Sequence, residues 1–399
     1  MGRFRDEYDV IVVGAGPGGS NTARYAALNG ARTLLLEKRQ DIGSPVRCGE
    51  GLSKVHLDDA GITIDKRWFT NEVEGAHIIS PGGYRLTVGS KYAGSEVGMV
   101  IERDIFDKTL ALDAAKAGSE IMVKATVTDV TRENGTVNGV KVEHFSDKFN
   151  LRASCVVAAD GFESQVGRWA GLNTMLKGGD IMSCLQYRLT GVAVDPLYCE
   201  FYLGSEVAPG GYLWVFPKSE DTANVGIGVM AKKVKSKADA KTYLDKHIEQ
   251  DPRISDGKPL DWVAGGVSTN PPLEKTVAPG IVLVGDAARQ IDPITGGGVA
   301  NACIAGRIAG EVLGDAAQRG DFSLDQLMKY EVGWRAKMEN GLYRNWMAKE
   351  RLSRLDDETL DKLVDSLADA GVERLSVLAI LEAVKAKHPE LVKDFEDFI

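Results

Sequence analysis

The five cysteines of this 399-residue chain, Cys48, Cys155, Cys184, Cys199 and Cys303, are odd in number and include no Cys-x-x-Cys pair. Neither a disulfide framework nor an iron–sulfur or zinc centre is expected. Its five histidines contain no His-Glu-x-x-His, so no metal site is expected either. Positive charge is in deficit: the formal net charge is −9 and the pI is near 5.3, which argues against nucleic acid as a partner because its binders carry basic footprints. No apolar run approaches the roughly 18 residues that span a bilayer, and the first strand begins too early to leave room for a signal peptide. Met1-Gly2 is followed by Asp6 where a myristoylation signal needs Ser or Thr. A cytoplasmic protein of two domains is the default expectation, at about 100 to 200 residues per domain.

What is present is concentrated first between Tyr8 and Glu37. An apolar run, Val10 to Val13, leads into Gly14-Ala15-Gly16-Pro17-Gly18-Gly19, then a helical pattern, then Thr33 to Leu36 with Glu37 at its end. The order reads as strand, glycine turn, helix and second parallel strand. In such a unit Gly14 permits the turn, Gly16 lets the backbone approach a pyrophosphate and Gly19 allows close packing, while the helix start aims N–H groups and partial positive charge at the phosphates. Glu37, about 20 residues beyond the glycines, can accept hydrogen bonds from a ribose diol and would repel a 2′-phosphate. FAD or NAD is therefore expected in preference to NADP. The plain alternative is a glycine turn that serves packing alone.

Further on, Pro45-Val46-Arg47-Cys48-Gly49-Glu50-Gly51-Leu52 brings one thiol, one guanidinium and one carboxylate into a glycine-punctuated loop, a composition that rarely serves packing. Residues 73–99 read as short strands about a Pro81-Gly82-Gly83 turn, and Glu102-Arg103-Asp104 opens a helix capped near Gly118. Residues 120–158 alternate apolar and polar around Glu133-Asn134-Gly135. They close on a buried strand that delivers Asp160 and Gly161 to a strand end, where cofactors of open α/β sheets bind. Strands over 185–189, 200–203, 212–216 and 224–229 show no helical period, so a mostly antiparallel sheet is inserted into the nucleotide-binding fold. Another buried strand stops at Gly285-Asp286, and Gly296-Gly297-Gly298 opens an Ala-rich helix whose start would face an electron-rich group.

The tail from Phe322 is helical. Ser323 and Gln326 read as a capping box ahead of an apolar stripe of Leu327, Tyr330, Trp334, Met338 and Leu342. A second helix carries Leu360, Leu363, Val364 and Leu367, and a third Val377, Ile380, Leu381 and Val384. Such stripes are usually core; contact with a membrane surface is the alternative. Lys232, Lys233, Lys235, Lys237, Lys241 and Lys246 form the one basic run, either a solvated surface or a dock for lipid phosphate or an acidic electron carrier.

The opening turn with Glu37, the strand ending in Asp160-Gly161 and the strand ending in Gly285-Asp286 together resemble flavoprotein monooxygenases of the p-hydroxybenzoate hydroxylase fold. The resemblance implies an α/β protein: a Rossmann-like FAD-binding domain (1–75, 100–175 and 270–321), an inserted sheet domain for substrate (76–99 and 176–269) and a C-terminal helical region (322–399). It implies that Gly14, Gly16, Gly19 and Glu37 hold the ADP part of FAD, that Arg103 contacts the cofactor and that Asp286 binds the ribityl chain. Gly297 and Gly298 would lie by the flavin pyrimidine, and Asp160 with Gly161 near the pyrophosphate. Within that fold, the loop from Pro45 to Leu52 and the strand Gly211-Tyr212-Leu213-Trp214-Val215-Phe216-Pro217 are similar to the archaeal geranylgeranyl reductase family. The resemblance covers essentially the whole chain. It implies saturation of isoprenoid double bonds in archaeal membrane lipids by reduced FAD, with an isoprenoid lipid as substrate and NAD(P)H, ferredoxin or another reduced carrier as electron donor. The place would be the cytoplasm or the inner face of the membrane.

The residues suit that chemistry. Tyr212, Trp214 and Phe216 share one face of a strand, an aromatic wall for a long apolar chain; an ordinary core strand is the other reading, because Leu213 and Val215 are apolar too. An isolated alkene has no carbonyl to take up charge, so a proton must arrive as hydride does, through a transition state with cationic character. Such a site needs an acid, dry walls and aromatic faces. Cys48 and Glu50 are the candidate catalytic acids, and Arg47 would contact substrate or steady a thiolate. A flavin hydroxylase or halogenase is the rival enzyme, since halogenases carry a similar aromatic strand, and a flavin redox sensor is the rival outside enzymes. No second Gly-x-Gly-x-x-Gly opens a helix, so no separate nicotinamide domain is expected.

Overall fold

A computed structural model describes the chain except for residues 1–3, 91–92, 94–96, 235–238, 372–376 and 392–399. At its centre lies β1 (Glu7–Val13), paired in parallel with Asp147–Ala158 on one side and with β2 (Thr33–Leu36) on the other. Ile281–Leu283 and Glu120–Met122 extend the parallel set outward. Both faces of β1 are covered, which is why it reads as an unbroken apolar run. Val10 and Val12 point to one side, where α1 (Pro17–Leu28) and the helices Arg103–Lys116 and Val299–Arg319 supply Ala23, Ala26, Ala111, Ala305 and Ala309. Tyr8, Ile11 and Val13 point to the other, against Val127, Val130, Val140 and Val142 of the hairpin Ala125–Glu133 and Thr136–His144.

The second sheet has seven strands, in the order Lys258–Ser268, Ile181–Thr190, Thr222–Met230, Tyr212–Pro217, Tyr198–Tyr202, Gly75–Ile79, Arg85–Gly89. All neighbours are antiparallel except Tyr198–Tyr202 with Gly75–Ile79. Leu213, Val215, Val225 and Ile227 face Leu244 of the helix Ala240–Gln250, while Trp214, Phe216 and Phe201 face the other way, toward the first sheet's loops. Neither the Ala240–Gln250 helix nor the Lys258–Ser268 strand stands out in the sequence. The helix fully buries only Leu244 and the strand is an exposed edge, so neither shows a strong apolar period. Lys241 and Lys246 of the basic run lie on that helix, Lys241 paired with Asp245; Lys235 and Lys237 fall outside the described residues.

In the tail, Leu327, Tyr330 and Trp334 of the helix Leu324–Trp334 are wholly buried in the same core as Val10 and Leu313. Leu363, Val364 and Leu367 of Asp357–Asp369 pack on Leu86 and Val88. These stripes are core contacts. The capping box is only half formed: Ser323 Oγ accepts from Gln326 N at 3.4 Å, but the Gln326 amide turns to Val312 O and Asp315 Oδ2, and Ser323 N donates to Asp321 instead. Of the third stripe, Val384 is buried, and the side chains of Val377, Ile380 and Leu381 fall outside the described residues. No helix among the described residues is long and apolar enough to cross a membrane.

Candidate active site

A cavity of about 1050 Å³ runs from the glycine turn, between the two sheets, to the start of the Asp357–Asp369 helix. Ligand pockets commonly measure ~300–1,000 Å³, so there is room for a large cofactor and part of a second molecule. At one end Gly14 has φ +103°, and a Cβ on it would collide with Ala159 O; one on Gly19 would collide with Gly14 O. Gly16 has nothing within 4 Å of its Cβ position, leaving its backbone open to a ligand. It is also the N-cap of α1, which no side chain caps, so the helix start is left to an anion. Glu37 lines the same end, its oxygens accepting from Ala15 N at 3.0 Å and Arg39 N at 2.9 Å.

Asp160 Oδ2 accepts from Val166 N at 2.9 Å while Oδ1 is buried without a partner, and burial pushes this carboxyl above its ordinary range. Gly161 beside it has φ +83° and open space at its Cβ position. Burial likewise raises Asp286, with Arg103 opposing, and a Cβ on Gly298 would lie 3.0 Å from Asp286 Oδ1. Gly297 N donates to Thr295 Oγ1 at 3.1 Å, and the Val299–Arg319 helix starts at Gly298 with no side-chain cap. Two uncapped helix starts, an orphaned carboxylate oxygen and a backbone cradle along one cavity fit an extended dinucleotide with polar groups at intervals, as in FAD. Heating the purified protein should therefore release FAD and not FMN, resolved by chromatography, because the first turn and Glu37 suit an adenosine half that FMN lacks. Glu37→Ala should cost about 1.5–3 kcal/mol of FAD binding, the scale of a hydrogen bond to a charged group. Asp286→Ala should also lose flavin; flavin absorbance per protein after gel filtration checks both.

Midway along the cavity, the loop from Pro45 to Leu52 lies on the second sheet. The Cys48 carbonyl accepts from Gln186 Nε2 at 3.1 Å, and Gln186 Oε1 accepts from Trp214 Nε1 at 2.8 Å. Gly49 O accepts from Asn224 Nδ2 at 3.1 Å, and a Cβ on Gly49 would be 3.1 Å from the Phe216 ring, so the glycine there answers a real close approach. The half-buried Cys48 thiol accepts from Glu50 N at 3.2 Å and meets the Arg103 guanidinium. That guanidinium is forked onto Asp107 at 3.0 and 3.1 Å. Arg47 is exposed on the cavity wall. Tyr212, Trp214 and Phe216 all line the cavity, Tyr212 donating its hydroxyl to Thr295 O across it.

Glu50 is a correction. Expected as a candidate acid, it is fully buried and off the cavity wall, accepting from Lys218 Nζ at 2.6 Å, Arg188 Nη2 at 2.9 Å, Asn224 Nδ2 at 2.7 Å and Arg103 N at 2.9 Å. Burial pushes it up, but the Lys218 ammonium, the Arg103 amide and Arg188 outweigh burial and hold it below the ordinary carboxylate range. A carboxylate kept ionised in this way has no proton to give. The sequence reading missed Gln186, Arg188, Lys218 and Asn224; the one available signal was Lys218, a cation immediately after the apolar Trp214-Val215-Phe216-Pro217.

Residues 9–180 match the family model of FAD-dependent oxidoreductases, and residues 180–267 that of the geranylgeranyl reductase catalytic domain. The digeranylgeranylglycerophospholipid reductase of Thermoplasma volcanium is 51% identical over 396 residues, 99% of this chain and 100% of that protein. The chain belongs to the geranylgeranyl reductase family. A geranylgeranyl bacteriochlorophyll reductase-like protein from Thermoplasma acidophilum, known from its crystal structure, matches this family member with a TM-score of 0.91 at 50% identity, over 99% of this chain and 100% of its own. A flavin-dependent brominase aligns with a TM-score of 0.69 at 20% identity, over 97% of this chain and 100% of its own, a likeness of fold alone. The seam between the two family models, at residue 180, falls where the chain leaves the first sheet for the second.

Proposed function

We propose that this protein is an FAD-dependent reductase that saturates the geranylgeranyl double bonds of archaeal membrane ether lipids. The observation that carries the reading is the meeting, in one cavity, of a dinucleotide cradle, a thiol on a rigid loop and an aromatic wall. When bound and reduced, FAD supplies a hydride. The chain's own residues do the rest. Cys48 Sγ gives a proton to the alkene carbon that does not take hydride, and Arg103, with Arg47 further out, steadies the thiolate left behind. Trp214 and Phe216 keep water from the isoprenoid chain and present π-faces to the cationic character that develops on the substituted carbon. The uncapped helix start after Gly298 favours negative charge at that end of the site. With Glu50 locked as a carboxylate, Cys48 recovers its proton from water in the cavity.

The electron donor is a reduced carrier, NAD(P)H, ferredoxin or another, and contact with the lipid surface is peripheral. Support for that surface contact is Lys233, which lines the cavity near the tail helices, within reach of anionic headgroups. The deciding experiment is anaerobic: holoprotein, dithionite and an unsaturated archaeal lipid extract, read by mass spectrometry. Hydrogen added to the lipid in pairs is the expected result. Oxygen-dependent consumption of the donor with hydroxylated or halogenated products would return the protein to the monooxygenase or halogenase reading, and a flavin that is reduced and reoxidised without lipid turnover would make it a redox sensor.

A further inference from the structure

The loop that bears Cys48 is fastened from behind by a closed group of charges. Lys218 Nζ bridges Glu50 Oε2 at 2.6 Å and Glu102 Oε1 at 2.9 Å, and Arg188 Nη2 reaches both carboxylates at 2.9 Å. Two cations face two carboxylates, a balance that lets ions be buried. Glu50 sits at the middle with φ 72°, a conformation unfavourable for a side chain of its kind; residues held this way are over-determined by their surroundings and cluster at functional sites. Its Oε1 takes the amide of Arg103 and so fixes the first turn of the helix that carries the guanidinium. Asn224 Nδ2 is shared between Glu50 Oε2 and the Gly49 carbonyl, fixing the loop next to the thiol. One buried carboxylate therefore holds both sides of the contact between Cys48 and Arg103.

We propose that Glu50, together with Lys218 and Asn224, is a positioning residue that sets the Cys48 thiol against the Arg103 guanidinium and thereby tunes the thiol as a proton donor. Only the last clause rests on the reductase reading; the reactivity of the thiol can be measured with no lipid present. A guanidinium in contact with sulfur favours the thiolate. Outside the cluster, Arg47 lies next to the thiol in the same loop, Asp107 and Asp286 act on Arg103, Glu37 and Asp104 act on Asp107, and the Cys184 thiol lines the same cavity. None of these is altered in the variants below.

Iodoacetamide alkylation of the holoprotein over a pH series, followed at the Cys48 peptide by mass spectrometry, reads the thiol directly. In the wild type the rate should reach half its plateau below the about 8.5 of a free thiol. Asn224→Ala removes no charge, and Glu50→Gln with Lys218→Met removes one of each sign, so neither alters the net charge around the loop. In both, the midpoint should move up toward the free-thiol value. Lipid turnover in both should fall about tenfold in kcat with KM nearly unchanged and flavin retained, somewhat less than the ~10²–10⁴ of a general acid lost outright. A wild-type midpoint at or above the free-thiol value overturns the proposal, as does an unmoved midpoint in either variant that folds, whatever happens to turnover; the cluster would then be a fastening only. If no form of the protein turned over lipid, the reductase reading would fall and the thiol midpoints would still decide this one.

Discussion

Cys48→Ala should retain FAD and its reduction by dithionite while lowering double-bond saturation by about 10² or more, the scale of a lost general acid. The alanine leaves the Cys48 carbonyl free to accept from Gln186 and the Gly49 carbonyl free to accept from Asn224, so the loop should keep its place. What disappears is the proposed proton source, where the cavity, the Arg103 guanidinium and the thiol meet. Cys48→Ser should recover little, because a hydroxyl is far less acidic than a thiol and Arg103 would face a group that does not ionise. Flavin content, anaerobic reduction and lipid mass shift, measured on one preparation, separate the effects. Near wild-type saturation in Cys48→Ala would pass the role to bound water and leave the cysteine as a spacer.

Lys218→Met should be the more damaging change to stability, at about 3–5 kcal/mol near pH 7, the usual cost of breaking a buried ion pair from one side. Glu50 is 0% exposed and Lys218 only 5%, so the carboxylate left behind cannot recruit water to replace the ammonium. In the wild type, Glu50 is held below its ordinary range. Its contribution is thus fully present above the unfolded value of about 4.3 and is lost as pH falls through the lower folded value. In the variant the folded carboxylate loses its largest attraction, keeps only Arg188, Asn224 and the Arg103 amide, and takes up a proton at higher pH than in the wild type. The gap between the two proteins should accordingly be widest near neutrality and should narrow toward about pH 4. Glu50→Gln combined with Lys218→Met should lose less than Lys218→Met alone, since fewer charges are stranded. Melting of the three holoproteins at both pH values tests this; equal losses at both would show that the methionine acts through packing.

The first strand, turn and helix were legible because each sequence feature has a single physical use: Val10 to Val13 apolar on both faces, Gly14 at positive φ, Gly19 against a carbonyl. The aromatic wall was half legible. The period of two placed Tyr212, Trp214 and Phe216 on one face, but what makes room for them lies elsewhere. Gly226 and Gly228, which look like a stray glycine pair, sit opposite Trp214 and Tyr212 in the next strand, and a Cβ on Gly226 would run into the indole. Glu50 was misread for a reason local sequence cannot repair. A carboxylate beside a thiol looks the same whether it donates protons or anchors a loop, and the partners that decide between these, Arg188, Lys218 and Asn224, lie 138, 168 and 174 residues away. The apolar stripes of the tail were ambiguous between core and membrane surface until their partners, Leu313 for one helix and Leu86 with Val88 for another, were in view.

The hydrogen bonds from the Trp214 indole to Gln186, and from Gln186 to the Cys48 carbonyl, mean that, on the proposed roles, the surface that would grip the lipid and the backbone that would aim the proton are a single mechanical part. On that reading a chain that presses on the indole would also press on the backbone of Cys48, and a poorly fitting chain should be turned over slowly even where it binds well. Anyone widening this groove for a bulkier lipid by trimming Trp214 would cut the linkage too, and should expect turnover to fall for every chain length. Chain preference and catalytic timing would have to be redesigned together.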